Sequence, residues 1–265
     1  MLVRPSAVAG QFYPGNADRL RKQVSDLLAN IAMPIKNIPK ALIVPHAGYV
    51  YSGATAAAAF ATLRDGAQTI RRVVLIGPAH HVHVRGIAAP TVDAFETPLG
   101  RVPVDKSALN AIAGLPFVIQ DDLAHAPEHA LEVELPFLQT LLVSFQVVPL
   151  LVGDATPEEI AQMMLQLWES PGTLIVVSTD LSHYHNYEAA RRLDAATAAA
   201  IERGDWASLG PHQACGSRAL AGLLIETGRR GLKIRRLSLC NSGDTAGSRD
   251  RVVGYGAWMF AQTAA

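Results

Sequence analysis

The sequence predicts an α/β protein with a mainly parallel or mixed central sheet and helices on both of its faces. Short runs of apolar, β-branched residues alternate with longer amphipathic segments, which is typical of alternating strands and helices. Hydrophobic residues make up 49% of the 265 residues and charged residues 17%, a balance that suits a large buried sheet. Because no linker-like or low-complexity segment divides the chain, we predict a single domain over residues 1–265.

The individual elements follow from the spacing of apolar residues. An amphipathic stripe predicts a helix over 19–32, and apolar runs at 41–44 and 73–76 predict buried strands on either side of an alanine-rich helix at 54–63. Short strands or a hairpin over the end of the sheet are predicted at 86–104. Further helices are predicted at 105–113, from about 128, at 187–203 and at 216–228. Further strands are predicted at 146–152, 173–177, 232–240 and 251–260.

Local signals mark several boundaries. Thr156, Pro157 and Glu159 have the spacing of a capped helix start, with threonine as the cap, proline in the first turn and glutamate completing a capping box. Asp105 is placed to cap another helix. Pro149 inside the strand at 146–152 suggests an edge or irregular position, because proline cannot donate to a sheet hydrogen bond.

Charge and cysteine content narrow the functional classes. The 23 lysines and arginines equal the 23 acidic residues in number, so a general affinity for nucleic acid or for an anionic membrane is not expected. The N-terminus lacks the apolar core of a signal peptide, and no apolar run is long enough to span a membrane. Two cysteines, Cys215 and Cys240, give no disulfide framework, so a cytoplasmic location is the default expectation.

Residues suited to catalysis or metal binding follow four of the apolar runs. They are His46 within 45–49, His80 within 77–81, Asp180 and His183 within 178–183, and Asp244 within 241–244. If the preceding strands are parallel neighbours, the loops meet at one edge of the sheet, where open α/β sheets bind ligands. The sequence therefore predicts one site built from residues far apart in the chain.

The histidines suggest a metal, because imidazole is the commonest metal ligand in proteins. His80, His81 and His83 are close together, and in a strand His81 and His83 would share a face while His80 points elsewhere. His46 precedes glycines that allow the backbone to approach a ligand closely. The alternative for each is a purely structural turn histidine or a solvated histidine-rich turn.

Asp180 and His183 lie between a strand and a helix. The functional interpretation makes His183 an acid or base with a pKa near neutrality and makes Asp180 the group that orients a histidine. In the alternative interpretation, Asp180 only caps a turn.

Asp244 lies in a glycine-bounded loop, a composition that is also common in ordinary turns. Two histidines and one carboxylate are the ligand set that holds Fe(II) on one face and leaves three positions open. Zinc accepts the same three ligands together with a water molecule.

Other reactive residues have weaker patterns. Glu128 and Glu132 lie one helical turn apart and could face the site, although acids at a helix start are more often on the surface. Cys240 is expected to be a buried structural cysteine, whereas Cys215 precedes a helix and keeps a thiol-based mechanism open. The chain has no Walker loop, GxSxG elbow or HExxH motif, and no GxGxxG opens a helix after a strand, which disfavours nucleotide-dependent transfer and serine hydrolysis.

The chain resembles the Memo family, whose bacterial members are often labelled AmmeMemoRadiSam system protein B. The resemblance spans nearly the whole chain, in the motifs VRPSAVAGQFYP at 3–14, PHAGY at 45–49, GPAHH at 77–81, EHALE at 128–132, STDLSH at 178–183, ACG at 214–216 and VVGYG at 252–256. The family is similar in fold to LigB-type class III extradiol dioxygenases, which are non-haem iron enzymes that open catechol rings. A class III extradiol dioxygenase-like fold is therefore implied.

The resemblance also implies roles for particular residues. His46 and His80 match the two metal-binding histidines, and His183 matches the acid/base histidine of the dioxygenases. Animal Memo proteins place a cysteine as third ligand in the last loop, at a position that falls near Thr245 here. The neighbouring Asp244 is therefore our expected third ligand. Family members are implicated in metal binding, in redox chemistry and, in animals, in recognition of phosphotyrosine-bearing partners.

The first functional hypothesis is a metal-dependent oxidoreductase related to ring-cleaving dioxygenases. In it His46, His80 and Asp244 hold a divalent metal, Fe(II) by preference with zinc or copper as alternatives. His183, held by Asp180 or a neighbouring group, transfers protons to and from a small-molecule substrate.

Two other hypotheses stay open. The same pocket could bind a metal, a small anion or a peptide without turnover, with Arg249 or Arg251 near its rim. A weaker alternative is a zinc-assisted or thiol-based hydrolase or amide-forming enzyme that uses Cys215. The family label also implies a functional association with a radical S-adenosylmethionine protein.

Overall fold

Strands and helices alternate along most of the chain in the computed structural model, which describes residues 1–31 and 38–262. The strands are β1 (Val3–Arg4), β2 (Ala41–Val44), β3 (Arg72–Pro78), β4 (Ile87–Ala89), β5 (Ala94–Thr97), β6 (Gly100–Pro103), β7 (Val118–Gln120), β8 (Gln146–Val152), β9 (Thr173–Ser178), β10 (His183–His185), β11 (Lys233–Asn241) and β12 (Val252–Ala261). The α-helices are α1 (Ala17–Ala29), α2 (Tyr49–Phe60), α3 (Lys106–Ile112), α4 (Asp122–His125), α5 (Leu135–Leu141), α6 (Pro157–Trp168), α7 (Tyr187–Arg203) and α8 (Ser217–Arg229).

The central sheet is mixed, with the order β10-β12-β2-β9-β3-β8-β4-β7 and with β11 also paired to β12. Its middle strands β2, β9, β3 and β8 are parallel. On one side of this group β12 runs antiparallel to β2, and on the other side β4 runs antiparallel to β8. Helices α2 and α7 pack against β11 and β12, and α8 packs against β3 and β9. The predicted α/β architecture with helices around a large sheet is confirmed.

The parallel strands form the centre of the core. Every residue of β2 and β9 is buried, as expected for strands covered by helices on both faces. Val44 at the end of β2 pairs with Ser178 at the end of β9, and Ile76 of β3 pairs with Val177. The three strands therefore end at the same edge of the sheet, and the loops that follow them start side by side.

Two helix starts differ from the sequence prediction. Helix α2 begins at Tyr49 rather than near residue 54, because the aromatic and β-branched residues of its first turn are weak helix formers that mask the start. The helix expected from Glu128 begins only at Leu135, after a 3-10 turn, with Pro136 in its first turn. At the other boundary, α1 ends at Ala29, and the predicted end at residue 32 lies outside the described residues.

The segment between β3 and α3 divides between two sheets. Strand β4 joins the central sheet, whereas β5 and β6 form a hairpin that pairs with β1 in a separate small sheet. Strand β8 lies inside the central sheet, not at its edge. Pro149 is nevertheless tolerated, because β4 pairs only with Leu151 and Val152, so no ladder partner lies beside the proline on that side.

The predicted helix caps are confirmed. Asp105 accepts a hydrogen bond from the Ala108 backbone at the start of α3. The side chains of Thr156 and Glu159 form a reciprocal capping box at the start of α6. Among residues 1–31 and 38–262, no helix combines the length and apolar character needed to cross a membrane.

Candidate metal centre

His46 and His80 meet at the edge where the parallel strands end. His46 follows β2, His80 follows β3, and β9 lies between these two strands in the sheet. The two imidazole rings approach edge to face, with 5.2 Å between their centroids. The topology therefore brings together two residues that are 34 positions apart in the chain.

The His46 ring is buried and held in one orientation. Its Nδ1 lies 2.7 Å from Ser178 Oγ, and that hydroxyl lies 2.7 Å from the Ala130 carbonyl oxygen. If the Ser178 hydroxyl donates to Ala130, then His46 Nδ1 donates to Ser178 and His46 Nε2 keeps its lone pair. Burial lowers the pKa of His46 well below its usual value, and the positive charge on His80 lowers it further, so the ring is a neutral ligand.

His80 is oriented by a buried carboxylate. Glu128 Oε1 lies 2.9 Å from His80 Nδ1, and Glu128 Oε2 accepts a hydrogen bond from the His80 backbone at 2.6 Å. Burial alone would raise the pKa of Glu128, but the bonds with His80 lower it to about 2. Glu128 is therefore ionised and accepts the Nδ1 proton, so Nε2 is the atom of His80 that would bind a metal, and binding would release the proton that Nε2 carries in the metal-free chain.

Cys215 completes a cluster of three ligand atoms. Its Sγ lies 3.3 Å from His46 Nε2 and accepts a hydrogen bond from the Asp180 backbone at 3.2 Å. One nitrogen from each of His46 and His80 and the sulfur of Cys215 all lie within 4.8 Å of one another. Burial would lower the pKa of His80, but hydrogen bonds with Cys215 and Glu128 raise it to about 10 in the absence of a metal.

Gly216 explains how the cysteine reaches the histidines. A Cβ atom at residue 216 would lie 2.8 Å from Thr179 Cβ and 3.0 Å from the Ser178 carbonyl oxygen. Only glycine therefore allows the loop before α8 to pack this closely against the end of β9. That contact places the preceding Cys215 beside the His46 ring.

The donor set fits a transition metal. Two imidazole nitrogens and one sulfur are borderline to soft ligands that zinc, copper and iron accept, and the supporting groups Ser178 and Glu128 fix the ring orientations. A second group of three, formed by His80, Glu128 and His129, also has ligand atoms within 4.8 Å of one another. Because Glu128 already accepts the Nδ1 proton of His80, we interpret this second group as the outer support of the first.

Asp180 supports the His46 loop. Its buried carboxylate accepts a hydrogen bond from the His46 backbone at 2.8 Å, and in the described part of the chain it makes no hydrogen bond with His183. Asp180 was predicted to orient a histidine, and the contact that the structure shows is with the main chain of His46. Burial raises the pKa of Asp180 to about 7, against the lowering effect of the His46 and Ala47 backbone N–H groups.

An open cavity of about 720 Å³ lies in front of the two histidines. His129, His183 and Asp180 also line it. The His129 ring stacks on His80 with 4.9 Å between centroids, and burial lowers its pKa to about 4. Burial also lowers the pKa of His183. Both rings are therefore neutral at pH 7 and can accept protons from a bound molecule.

Asp244, predicted from the sequence as the third ligand, lies apart from this cluster. Its carboxylate accepts hydrogen bonds from the Tyr187 hydroxyl at 2.5 Å and from the Asn241 backbone at 3.0 Å, and it borders a separate small cavity. The Asp244 carboxylate thus stabilises the turn after β11 and ties it to Tyr187 at the start of α7. It is in neither of the candidate ligand groups found among residues 1–31 and 38–262.

The position of β12 in the sheet explains the separation. Strand β11 leads to Asp244 and runs parallel to β2. Because β12 lies between them, β11 and β2 are two strand spacings apart, or about 10 Å. On β12, Asn241 of β11 pairs with Gly254, whereas Ile43 of β2 pairs with Trp258. Four residues further along from Ile43 is residue 47, so the end of β11 is level with the His46 loop and is separated from it sideways by the width of β12.

The acidic residues of the segment 128–132 are buried, although the sequence pattern favoured a surface position. Glu128 and Glu132 are 2% and 0% exposed, so neither is a surface acid. The only available signal was their one-turn spacing, which does not distinguish a buried ion pair from an exposed one. Likewise His81 and His83 are exposed, and His83 borders a different cavity from His80.

A mixed α/β sheet with a cluster of histidine and cysteine ligand atoms at the end of its parallel strands defines a candidate metal-binding protein. The family model for Memo-like proteins matches residues 4–259. A MEMO1 family protein from Aquifex aeolicus is 34% identical over 98% of this chain and 100% of its own length. A MEMO1 family protein from Aeropyrum pernix is 36% identical over 96% of this chain and 98% of its own length. The chain therefore belongs to the Memo family.

A solved structure of an uncharacterised protein from Escherichia coli K12 shares the fold. It has a TM-score of 0.52 at 14% sequence identity, covering 82% of this chain and 98% of that chain. At this level of identity, the similarity concerns the architecture of the sheet and its helices only.

Proposed function

We propose that this Memo family chain is a metal-dependent oxidoreductase, with His46, His80 and Cys215 as metal ligands. The observation that carries the proposal is the convergence of their three ligand atoms within 4.8 Å beside an open cavity. Such a centre, when loaded, supplies Lewis-acid and redox chemistry to a molecule in the cavity. The two imidazoles are already oriented by Ser178 and Glu128, so little reorganisation is needed for binding.

The residues around the cavity have separate roles in this proposal. His183 is neutral at pH 7 and lines the cavity, so its imidazole accepts a proton from a hydroxyl group of the substrate and later returns it. Asp180 is a positioning residue, because its carboxylate holds the His46 backbone. The His129 ring stacks on His80 and forms part of the cavity wall beside it.

The third ligand decides which metals compete for the site. A carboxylate from Asp244 would favour Fe(II), whereas the sulfur of Cys215 makes the set softer and allows copper and zinc to compete. The oxidoreductase proposal requires a redox-active ion, so iron or copper is the ion proposed for turnover. A relation to ring-cleaving dioxygenases is the finer form of the proposal, and dihydroxylated aromatic compounds are its test substrates.

Metal analysis of protein purified without oxygen tests the ligand set. We expect one transition metal ion per chain in the natural sequence and a large loss in His80→Ala and Cys215→Ser. His83→Ala and Asp244→Asn are the matched controls and should keep their metal, because neither side chain is in the cluster. Retention of metal in Cys215→Ser together with its loss in Asp244→Asn would restore Asp244 as third ligand.

Oxygen consumption tests turnover. Iron- or copper-loaded protein is mixed with a panel of catechols, and His183→Ala should reduce any oxygen uptake while leaving the metal content near that of the natural sequence. If only zinc binds, and if no loaded form consumes oxygen, the second candidate gains: a binding module that holds a metal and a small ligand without turnover. The open cavity of about 720 Å³ is the observation that favours this second candidate.

A further inference from the structure

Arg251 is a positively charged side chain at the cavity that lies in front of the metal centre. It lines this cavity together with His46, His80 and His183. Its guanidinium lies 5.0 Å from the centroid of the Tyr184 ring. Among residues 1–31 and 38–262, no carboxylate forms an ion pair with it, so its charge is available to a ligand.

Tyr184 is held in an unusual backbone conformation beside Arg251. Its φ angle of 62° makes it the one non-glycine residue with positive φ in the described part of the chain. The side chain is 64% exposed, so burial of its ring does not explain this conformation. Tyr184 lies where the pairing of β10 with β12 shifts register between His183 and His185, and an irregularity of this kind next to a site re-aims a side chain. Here it holds the aromatic ring under the guanidinium and 5.8 Å from the His183 ring.

The rest of the cavity wall is largely apolar. Phe12, Val50, Tyr51 and Val253 line the same cavity as the two metal-binding histidines and Arg251. The cavity thus presents metal ligands, an apolar wall and a single arginine. These three features suit a molecule with a metal-facing end, an apolar body and an anionic group.

We propose that the substrate of this site is a small apolar or aromatic carboxylate, whose carboxylate binds Arg251 while its other end faces His46 and His80. This inference rests on the proposed metal centre and adds the substrate class. Arginine binds a carboxylate through two parallel N–H···O bonds, which fix the orientation of the bound molecule. The Tyr184 ring supports the guanidinium through a cation–π contact and limits its freedom before the ligand arrives.

The charge of the cavity favours a carboxylate over a phosphate. Arg251 is the one arginine or lysine among the described residues that line it. A single guanidinium neutralises one carboxylate, whereas a phosphate dianion would keep a second negative charge next to the apolar wall.

Binding of 3-phenylpropionate and of its neutral amide tests the inference, with both measured by ligand-observed NMR at millimolar concentration on zinc-loaded protein. We expect the carboxylate to bind at least roughly tenfold more tightly than the amide, as for a hydrogen bond to a charged partner. Arg251→Gln should remove this difference. Arg249→Gln is the matched control, because Arg249 lies 4.4 Å from the Tyr187 ring in a similar contact but does not line the cavity.

Tyr184 provides a second pair of variants. Tyr184→Phe keeps the ring under Arg251 and should keep the carboxylate preference. Tyr184→Asn removes the ring but accepts the left-handed backbone, so it should fold and lose part of the preference.

The outcomes separate this inference from the metal proposal. Equal binding of acid and amide, no binding of either, or an unchanged preference in Arg251→Gln overturns the inference even when the metal is bound through His46, His80 and Cys215. Tighter binding of phenyl phosphate than of 3-phenylpropionate also overturns it. A carboxylate preference that depends on Arg251, in protein that binds no metal, would support the anion subsite and sink the metal centre.

Discussion

Glu132 shows how a single buried carboxylate organises the N-terminal segment. It accepts hydrogen bonds from the Arg4 guanidinium and the Tyr13 hydroxyl. It also accepts hydrogen bonds from the backbone N–H groups of Ala7, at 2.6 Å, and Val8, at 3.1 Å. Arg4 and Glu132 are 3% and 0% exposed, so both charges are removed from water. Removal of one partner from such a pair leaves the other charge uncompensated.

The first prediction concerns this ion pair. Glu132→Gln should lower the free energy of unfolding by roughly 3–5 kcal/mol, because the Arg4 charge stays buried without its partner. The measurement is a urea denaturation curve. Glu96→Gln is the control, since Glu96 pairs with Arg101 on the surface and the change should cost about 0–1 kcal/mol. Similar losses in the two variants would show that the Glu132 network is not a buried ion pair in solution.

His125 gives a residue-scale prediction about pH. Its Nε2 lies 3.1 Å from the Ala88 carbonyl oxygen, and the side chain is 2% exposed. Burial lowers its pKa to about 4, although the Ala88 carbonyl and the nearby Asp122 raise it. The folded chain therefore binds this proton less readily than the unfolded chain does.

The sign follows from that difference. The contribution of the neutral, buried His125 to the free energy of unfolding is complete above the pKa of histidine in the unfolded chain, about 6.5. It is lost as the pH falls from there to the pKa in the folded chain, about 4. The full loss is about 3 kcal/mol at 1.4 kcal/mol per pKa unit. His125→Gln keeps a donor for Ala88 and cannot titrate, so its free energy of unfolding should fall less steeply over this range. Parallel pH curves for the two proteins would contradict the assignment.

At the scale of elements, the strands were easier to predict than the packing between them. Residues 41–44 form β2 as predicted, and the helix at 187–203 matches α7, because apolar runs and amphipathic periodicity are local properties of the sequence. The insertion of β12 between β11 and β2 depends on contacts between distant segments. Without it, the end of β11 would lie beside His46 and Asp244 would be close to the histidines.

A prediction at this scale concerns the start of α6. Thr156 Oγ1 accepts a hydrogen bond from the Glu159 backbone, and the Glu159 carboxylate accepts one from the Thr156 backbone. Thr156→Ala removes one half of the box and should lower the free energy of unfolding by about 1 kcal/mol. Thr156→Ser keeps the hydroxyl and should restore most of it. A thermal melt that does not distinguish the two variants would show that the cap is not formed in solution.

At the scale of the whole molecule, the candidate site exists only when distant parts of the chain are folded together. His46 follows β2, His80 follows β3 and Cys215 precedes α8, and β9 separates the first two while packing against the third. The loops after β2 and β3 could be expected to meet, because parallel strands end at one edge. The position of Cys215 could not, since it depends on how closely Gly216 packs against the end of β9, which only the folded chain defines.

This dependence predicts that metal binding stabilises the whole chain. A ligand that binds only the folded state adds about 2.7 kcal/mol of stability at one hundred times its dissociation constant. Zinc should therefore raise the melting temperature of chelator-treated protein, because the unfolded chain keeps the three ligands far apart. In Cys215→Ser the increase should be much smaller, and in Asp244→Asn it should match that of the natural sequence. An equal increase in both variants would mean that zinc stabilises the chain from some other site, and the proposed centre would lose its main support.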